Sequence, residues 1–152
     1  MQTARNLMRR DVISVTPETS INEALDVLVE NNLSGLPVVN SAGQVVGVLS
    51  EVDQIQRGTI QDRSVQQLMT RQVATVDIDA PVLDVVGAFR DNSIRRLPVT
   101  EDGVLVGIIG IRDLVGWIRE TERVLTAISS DFGESDHLEA TLFESECWCN
   151  AD

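Results

Sequence analysis

Gly47-Val48-Leu49-Ser50-Glu51-Val52-Asp53 returns sixty residues later as Gly107-Ile108-Ile109-Gly110-Ile111-Arg112-Asp113. Each copy reads as the end of an apolar strand running directly into a helix. Such a junction points backbone N–H groups at a phosphate. A carboxylate one turn into the helix is an acceptor for a pair of sugar hydroxyls. The competing reading is structural. Ser50 and Asp53 stand three apart, as in a capping box, and an aspartate in the first turn complements the helix dipole without any ligand. The second copy has Gly110 where the hydroxyl would be, so a reciprocal box is not possible there, yet Asp113 is kept.

Working outward, the rest of the chain repeats as well. Leu7-Met8 matches Leu68-Met69, Val12-Ile13-Ser14-Val15 matches Val73-Ala74-Thr75-Val76, and Leu36-Pro37-Val38 matches Leu97-Pro98-Val99, all at an offset of 61. The offset falls to 60 at the glycine stretches, so one residue is lost in the intervening turn, Asn40-Ser41-Ala42-Gly43 against Glu101-Asp102-Gly103. Asp-Gly between apolar runs signals a tight hairpin. Each copy opens with a short helical turn, for which Ser64 with Gln67 is a capping box. A β-branched strand follows, Val12–Val15 or Val73–Val76. Then comes an amphipathic helix. Ser20 and Glu23 cap the first, Ile21, Ala24, Leu25 and Leu28 share its apolar face, and Asn31-Asn32 makes a left-handed stop. Pro81 starts the second, Val82, Val85, Val86 and Phe89 form its face, and Asn92 follows. Two hairpin strands come next, Leu36–Val39 with Val45–Leu49 and Leu97–Val99 with Val104–Ile109. The final helix is short after Asp53 and spans 112–129 after Asp113, where Leu114, Trp117, Ile118, Val124, Leu125 and Ile128 keep helical spacing. One copy alone buries little. Two copies packed sheet to sheet share a core and leave helix faces that favour self-association.

Composition narrows the function. The 152 residues carry a net charge of −12, and 43% are apolar. Up to residue 118 ten arginines face fifteen acidic residues; beyond it two face nine, so the acidity is concentrated in the tail. This argues against binding the phosphate backbone of nucleic acid, which requires cations. No apolar run is long enough to span a bilayer, and the N-terminus lacks the apolar core of a secretory signal. A soluble, cytoplasmic protein is expected. All twelve basic residues are arginine. Cys147 and Cys149 are the only cysteines, and their spacing does not build a disulfide framework. With His137 they offer three soft ligands but no fourth, and the spacing matches no common zinc site; no metal is expected. One histidine, placed in the tail, leaves no catalytic constellation, and phosphate-loop and dinucleotide fingerprints are absent. Asp136 and Glu139 cap a short tail helix carrying Leu138, Leu142 and Phe143, and Trp148 is an apolar hook in an otherwise acidic segment that suits partner docking.

Taken together, Leu-Met before the first strand, Val-Ile-Ser-Val-Thr-Pro, Ser-Gly-Leu-Pro-Val-Val, Gly-Val-Leu-Ser-Glu-Val-Asp and their second copies resemble a tandem pair of cystathionine-β-synthase-type (CBS) domains, a Bateman module. The resemblance covers residues 3–118. It implies a mixed α+β (α/β-like) fold of two βαββα repeats packed sheet to sheet about a pseudo-two-fold axis, with repeats at 3–58 and 59–118 and a helix extension and acidic tail at 119–152. It implies a regulatory, non-catalytic module that binds AMP, ADP, ATP or S-adenosylmethionine in clefts between the repeats, requires no other cofactor, and forms homodimers.

The resemblance also implies site residues. Ser50 contacts phosphate and Asp53 and Asp113 hold ribose hydroxyls. Ser14, Val15, Thr75 and Val76 line the adenine pocket, with Pro37, Val38, Pro98 and Val99 as pocket wall. The same valines read as ordinary buried strand residues. Arg95 and Arg96 face the phosphates; neighbours entering a strand point to opposite faces, which favours Arg96. Arg112 compensates for the hydroxyl missing at Gly110, or is simply a solvated helix residue. The expectation is two unequal sites, fuller at Asp53 and weaker, different or empty at Asp113. The alternative is a ligand-free dimerisation and docking module acting through its helices and acidic tail.

Overall fold

The computed structural model describes residues 2–50 and 63–130. Asp53 and the short helix expected after it, and the tail with His137, Cys147, Trp148 and Cys149, lie outside the described residues. The elements run α1 (Ala4–Leu7), α2 (Ile21–Glu30), β1 (Gly35–Val39), β2 (Val45–Ser50), α3 (Val65–Leu68), β3 (Val76–Asp77), α4 (Val82–Asn92), β4 (Arg96–Glu101), β5 (Val104–Gly110) and α5 (Ile111–Ser130). β1 and β2 form one antiparallel sheet. The second sheet has the order β3-β4-β5, with β3 parallel to β4 and β4 antiparallel to β5.

Local chemistry accounts for most boundaries. Ser20 Oγ accepts from Glu23 N–H at 3.2 Å and starts α2. Ser64 and Gln67 close a capping box on α3, and Thr3 with Asn6 does the same on α1. Asn32 takes φ +52° and ends α2; after α4 the left-handed residue is Ser93, at φ +50°, one past Asn92. Asp102 and Gly103, at φ +51° and +81°, make the two-residue turn between β4 and β5 that matches strand twist. In the longer first turn Asn40 Oδ1 accepts from both Ala42 and Gln44 N–H.

The leading strands are shorter than the β-branched runs predict, and the prolines are the reason. Val15 donates to Pro37 C=O at 3.1 Å and accepts from Val39 N–H at 2.9 Å. The next parallel bond toward the N-terminus would need the N–H that Pro37 lacks. Val12–Val15 therefore contracts to a single bridge, Val15 to Val38. Pro98 sets the same limit in the second copy, where pairing begins at Val76 opposite Val99.

The buried residues fall into two clusters, and each borrows from the other copy. The first packs Ile21, Ala24 and Leu28 of α2 against Leu36, Val38 and Leu49, and is completed by Val65, Leu68 and Met69. The second packs Val82, Val85 and Phe89 of α4 against Leu97, Val99 and Ile109, and is completed by Ala4, with Leu7 and Met8 against it. Fully buried leucines such as Leu36 and Leu97 contribute about 1.5–3 kcal/mol each. Backbone bonds fix the exchange. Ala4 N–H donates to Ala80 C=O, and Val65 N–H to Thr19 C=O. Arg9 pairs with Ile108 on the free edge of β5, and Thr70 with Val48 on that of β2. The packing units thus differ from the sequence copies by their leading segments.

The exchange explains the glycine that opens each copy of the repeated stretch. A Cβ on Gly47 would lie 2.6 Å from Met69 Sδ, and one on Gly107 would lie 2.4 Å from Met8 Sδ. The methionine of each Leu-Met pair sits on the glycine of the opposite copy. The two hairpins meet where Leu105 N–H donates to Gly43 C=O at 2.9 Å.

Candidate functional site

Residues directly opposite in an antiparallel pair share a face. In the first sheet Leu36 with Leu49 and Val38 with Gly47 face the helix, so Gly35 with Ser50 and Pro37 with Val48 face away from it. In the second sheet Leu97 with Ile109 and Val99 with Gly107 face the helix, and Arg96 with Gly110 and Pro98 with Ile108 face away. The sequence candidates divide along this line. Val15, Val38, Val76 and Val99 are buried in the two clusters, so they offer a ligand only backbone. Pro37 and Pro98, also buried, stand on the opposite face with Ser50 and Arg96. Ser14 and Thr75, each one residue before a core valine, are exposed. Ser14 lines a cavity of about 250 Å³ with Arg10, Val12, Val39, Leu105 and Val106, which draws on both copies.

Arg96 and Arg95 separate as strand alternation predicts. Arg96 is half-buried in β4 directly opposite Gly110. Arg95 is exposed before the strand, and its carbonyl accepts from Ile111 N–H at 2.8 Å, fixing the start of α5. Arg112 is exposed in the first turn of α5. Asp113, in that same turn, is held at both oxygens. Its Oδ2 accepts from Gly110 N–H at 2.9 Å, so half of a capping box survives without the hydroxyl. Its Oδ1 accepts from Arg9 Nη2 at 3.1 Å and Nε at 3.3 Å. The Asp113 side chain is 20% exposed and that of Arg9 is 70% exposed.

Arg9 was not among the sequence candidates. It reaches the site because it pairs with Ile108 across the edge of β5, which places its side chain on the face shared by Pro98, Arg96 and Gly110. A signal for it exists in the repeat. Leu7-Met8-Arg9 aligns with Leu68-Met69-Thr70, and the third position is where the copies differ in charge.

The chain belongs to the CBS domain family: the family model described as CBS domain matches residues 4–53 and 65–120. It is 36% identical over 106 residues to an uncharacterised 17.7 kDa protein of Acidianus ambivalens, covering 68% of this chain and 65% of that one. It is 30% identical over 113 residues to inosine-5'-monophosphate dehydrogenase of Methanocaldococcus jannaschii, covering 74% of this chain but only 23% of the dehydrogenase. Among solved structures, CBSX2 from Arabidopsis thaliana in complex with AMP superposes with a TM-score of 0.70 at 29% identity, covering 80% of this chain and 99% of that one. The CBS domain pair of protein MJ0100, in complex with 5'-methylthioadenosine and S-adenosyl-L-methionine, gives 0.71 at 25% identity, covering 80% of this chain and 98% of that one. The fold is that of a CBS pair. No helix among the described residues is long and apolar enough to cross a membrane.

Proposed function

We propose that this chain is a regulatory module that binds adenosine-containing ligands in two clefts on the sheet faces turned away from the helices. Ser14, Pro37, Ser50 and Asp53 serve one cleft, and Thr75, Arg96, Pro98 and Asp113 serve the other. The observation that carries the reading is the likeness, along 80% of the chain, to a CBS pair solved with AMP. Asp113 adds support: its carboxylate sits beside the face that carries Pro98 and Arg96, where an acceptor for a ribose diol is wanted. Candidate ligands are AMP, ADP, ATP and S-adenosylmethionine. The module acts by shifting between arrangements of its repeats, and a ligand shifts that balance only by its differential affinity for the two. No catalytic role is assigned.

A docking role is favoured by a separate observation. Leu83, 80% exposed, borders a groove of about 710 Å³ with Pro81, Val82 and Trp117. This face suits a homodimer or a protein partner, as does the acidic tail. A thermal-shift panel of AMP, ADP, ATP, S-adenosylmethionine and NAD at millimolar concentration tests the ligand reading. Stabilisation by at least one adenosine ligand is expected; stabilisation by none overturns it and leaves the docking role.

A further inference from the structure

The charge of the chain is divided by place. Arg9 and Arg10 come at the free edge of β5, Arg9 opposite Ile108. Arg96 stands opposite Gly110. Arg95 C=O accepts from Ile111 N–H at 2.8 Å, and Arg112 follows in the first turn of α5. Five arginines therefore collect where β4 and β5 meet the start of α5. Along these segments, 9–14, 94–100 and 104–113, the carboxylates are Asp11 and Asp113 alone. The remaining described residues have the opposite balance, six arginines to twelve acidic residues.

Most of this positive charge has no local counterpart. Asp113 takes Arg9, and no ion pair among the described residues engages Arg10, Arg96 or Arg112. All but the half-buried Arg96 are exposed. A tethered acidic segment reaches such a patch ahead of a free one, because the tether holds it at high effective concentration. Residues 131–152, outside the described residues, carry seven acidic residues and no arginine or lysine. They begin at the far end of α5, whose 20 residues span about 30 Å. Roughly nine extended residues cover the way back. Beyond them lies Glu144-Ser145-Glu146-Cys147-Trp148-Cys149. In an extended chain residues two apart point the same way, so Glu144, Glu146 and Trp148 form one line. Carboxylates pair with guanidinium groups through charge-assisted hydrogen bonds, and an indole face takes a further guanidinium.

We propose that Glu144–Cys149 docks in cis on this arginine patch, over the sheet face that carries Pro98, Arg96 and Gly110. Glu144 and Glu146 pair with two of Arg10, Arg96 and Arg112, and Trp148 stacks on the third. Docked there, the segment covers the approach to Asp113, and whatever enters must displace it. The groove beside Leu83 and Trp117 is a poorer seat for the same segment, because Glu120 lines it and Asp84 follows Leu83. The proposal is independent of the nucleotide reading: it assigns the tail an occupant's role on its own chain.

The two cysteines of the chain both lie in this segment, so a nitroxide on Cys147, with Cys149→Ser, reports its position in the full chain. Cys147 falls on the opposite side of the line made by Glu144, Glu146 and Trp148, which leaves the docking side chains unlabelled. At low salt the amide NMR signals of Arg9, Arg10, Arg96, Gly110 and Arg112 should broaden, and those of α2 should not. Sodium chloride at about 1 M, where the Debye length falls to about 3 Å, should remove most of the broadening. Glu144→Gln with Glu146→Gln should reduce it severalfold, and so should Arg10→Gln with Arg112→Gln, read at Arg9 and Gly110. Broadening that is absent, spread evenly along the chain, centred on Leu83 and Trp117, or indifferent to salt and to these substitutions overturns the proposal. A mixture of spin-labelled chains with isotope-labelled, spin-free chains separates the occupants. Broadening of the patch in the spin-free chains as strong as within one chain would assign the site to the tail of a second copy and overturn docking in cis.

Discussion

Gly107→Ala tests the exchange of leading segments, because the new methyl group would meet a residue almost a hundred positions away. Its Cβ would lie 2.4 Å from Met8 Sδ, 2.9 Å from Met8 Cγ and 3.0 Å from Met8 Cβ. Comfortable separation between carbon atoms is about 3.5–4.0 Å. The thioether end can swing aside. The Met8 Cβ cannot follow freely, because Met8 N–H is bonded to Ala4 C=O at 3.0 Å and Arg9 N–H to Ile108 C=O at 2.8 Å. Overpacking of this kind costs about 1–3 kcal/mol. For a chain of this size each kcal/mol lowers the melting temperature by about 2–4 °C. Met8→Ala removes two of the three close contacts, so in that background Gly107→Ala should be much better tolerated. Urea unfolding of the wild type, both single variants and the double variant gives the coupling energy, expected to be at least about 1 kcal/mol. Gly47→Ala supplies a contrast. There the third contact is Thr70 C=O, 3.1 Å away and fixed by pairing with Val48, so Met69→Ala should relieve less of the cost. Additivity within about 0.5 kcal/mol at Gly107 and Met8 would refute the packing of residues 3–9 on the second sheet.

Two local substitutions have predictable signs. Ser93 holds φ +50° and ψ +44° at the end of α4, a conformation that costs an ordinary residue about 1–2 kcal/mol and glycine far less. Ser93→Gly should therefore raise the stability by up to about 1 kcal/mol once glycine's greater freedom in the unfolded chain is offset, seen as a higher urea midpoint; a lowered midpoint would mean that the serine side chain itself holds the turn. Ser20→Ala removes the acceptor for Glu23 N–H at the start of α2 and should cost about 1 kcal/mol. Equal stability of Ser20→Ala and wild type would show that the cap is made in solution by water instead.

What was legible in the sequence is what is local. The faces of α2 and α4, the Ser20 and Ser64 caps, the Asp102-Gly103 turn and the alternation that turns Arg96 into the sheet and Arg95 out of it all depend on neighbours within a few residues. The first strands were over-read because Val12–Val15 and Val73–Val76 carry strand-forming side chains, whereas the limit on their pairing lies on the partner strand, in Pro37 and Pro98. The exchange could not be read at all. Leu7-Met8 and Leu68-Met69 suit either core, since both cores are lined by aliphatic and aromatic side chains at matching positions. Arg9 follows from that gap: its ion pair joins residues 104 apart, and the one sequence signal for it is the change from Arg9 to Thr70 between the copies.

Because the leading segment of one copy completes the core of the other, the Asp113 cleft is built from both. Met8 seats on Gly107, and the next residue, Arg9, reaches Asp113. Under the nucleotide reading proposed above, a ligand at Asp113 touches parts of both sequence copies, because Arg9 is bonded to Asp113. Its binding energy depends on how well residues 3–9 stay registered on the edge of β5, a pairing maintained by the two backbone bonds between Arg9 and Ile108. Any rearrangement of the repeats that disturbs this register weakens the ligand, and by the same linkage the ligand resists that rearrangement. The glycine that opens the repeated stretch and the aspartate that closes it are thus parts of one device. The glycine sets how closely the two copies approach, and the aspartate is in a position to report that approach to whatever fills the cleft.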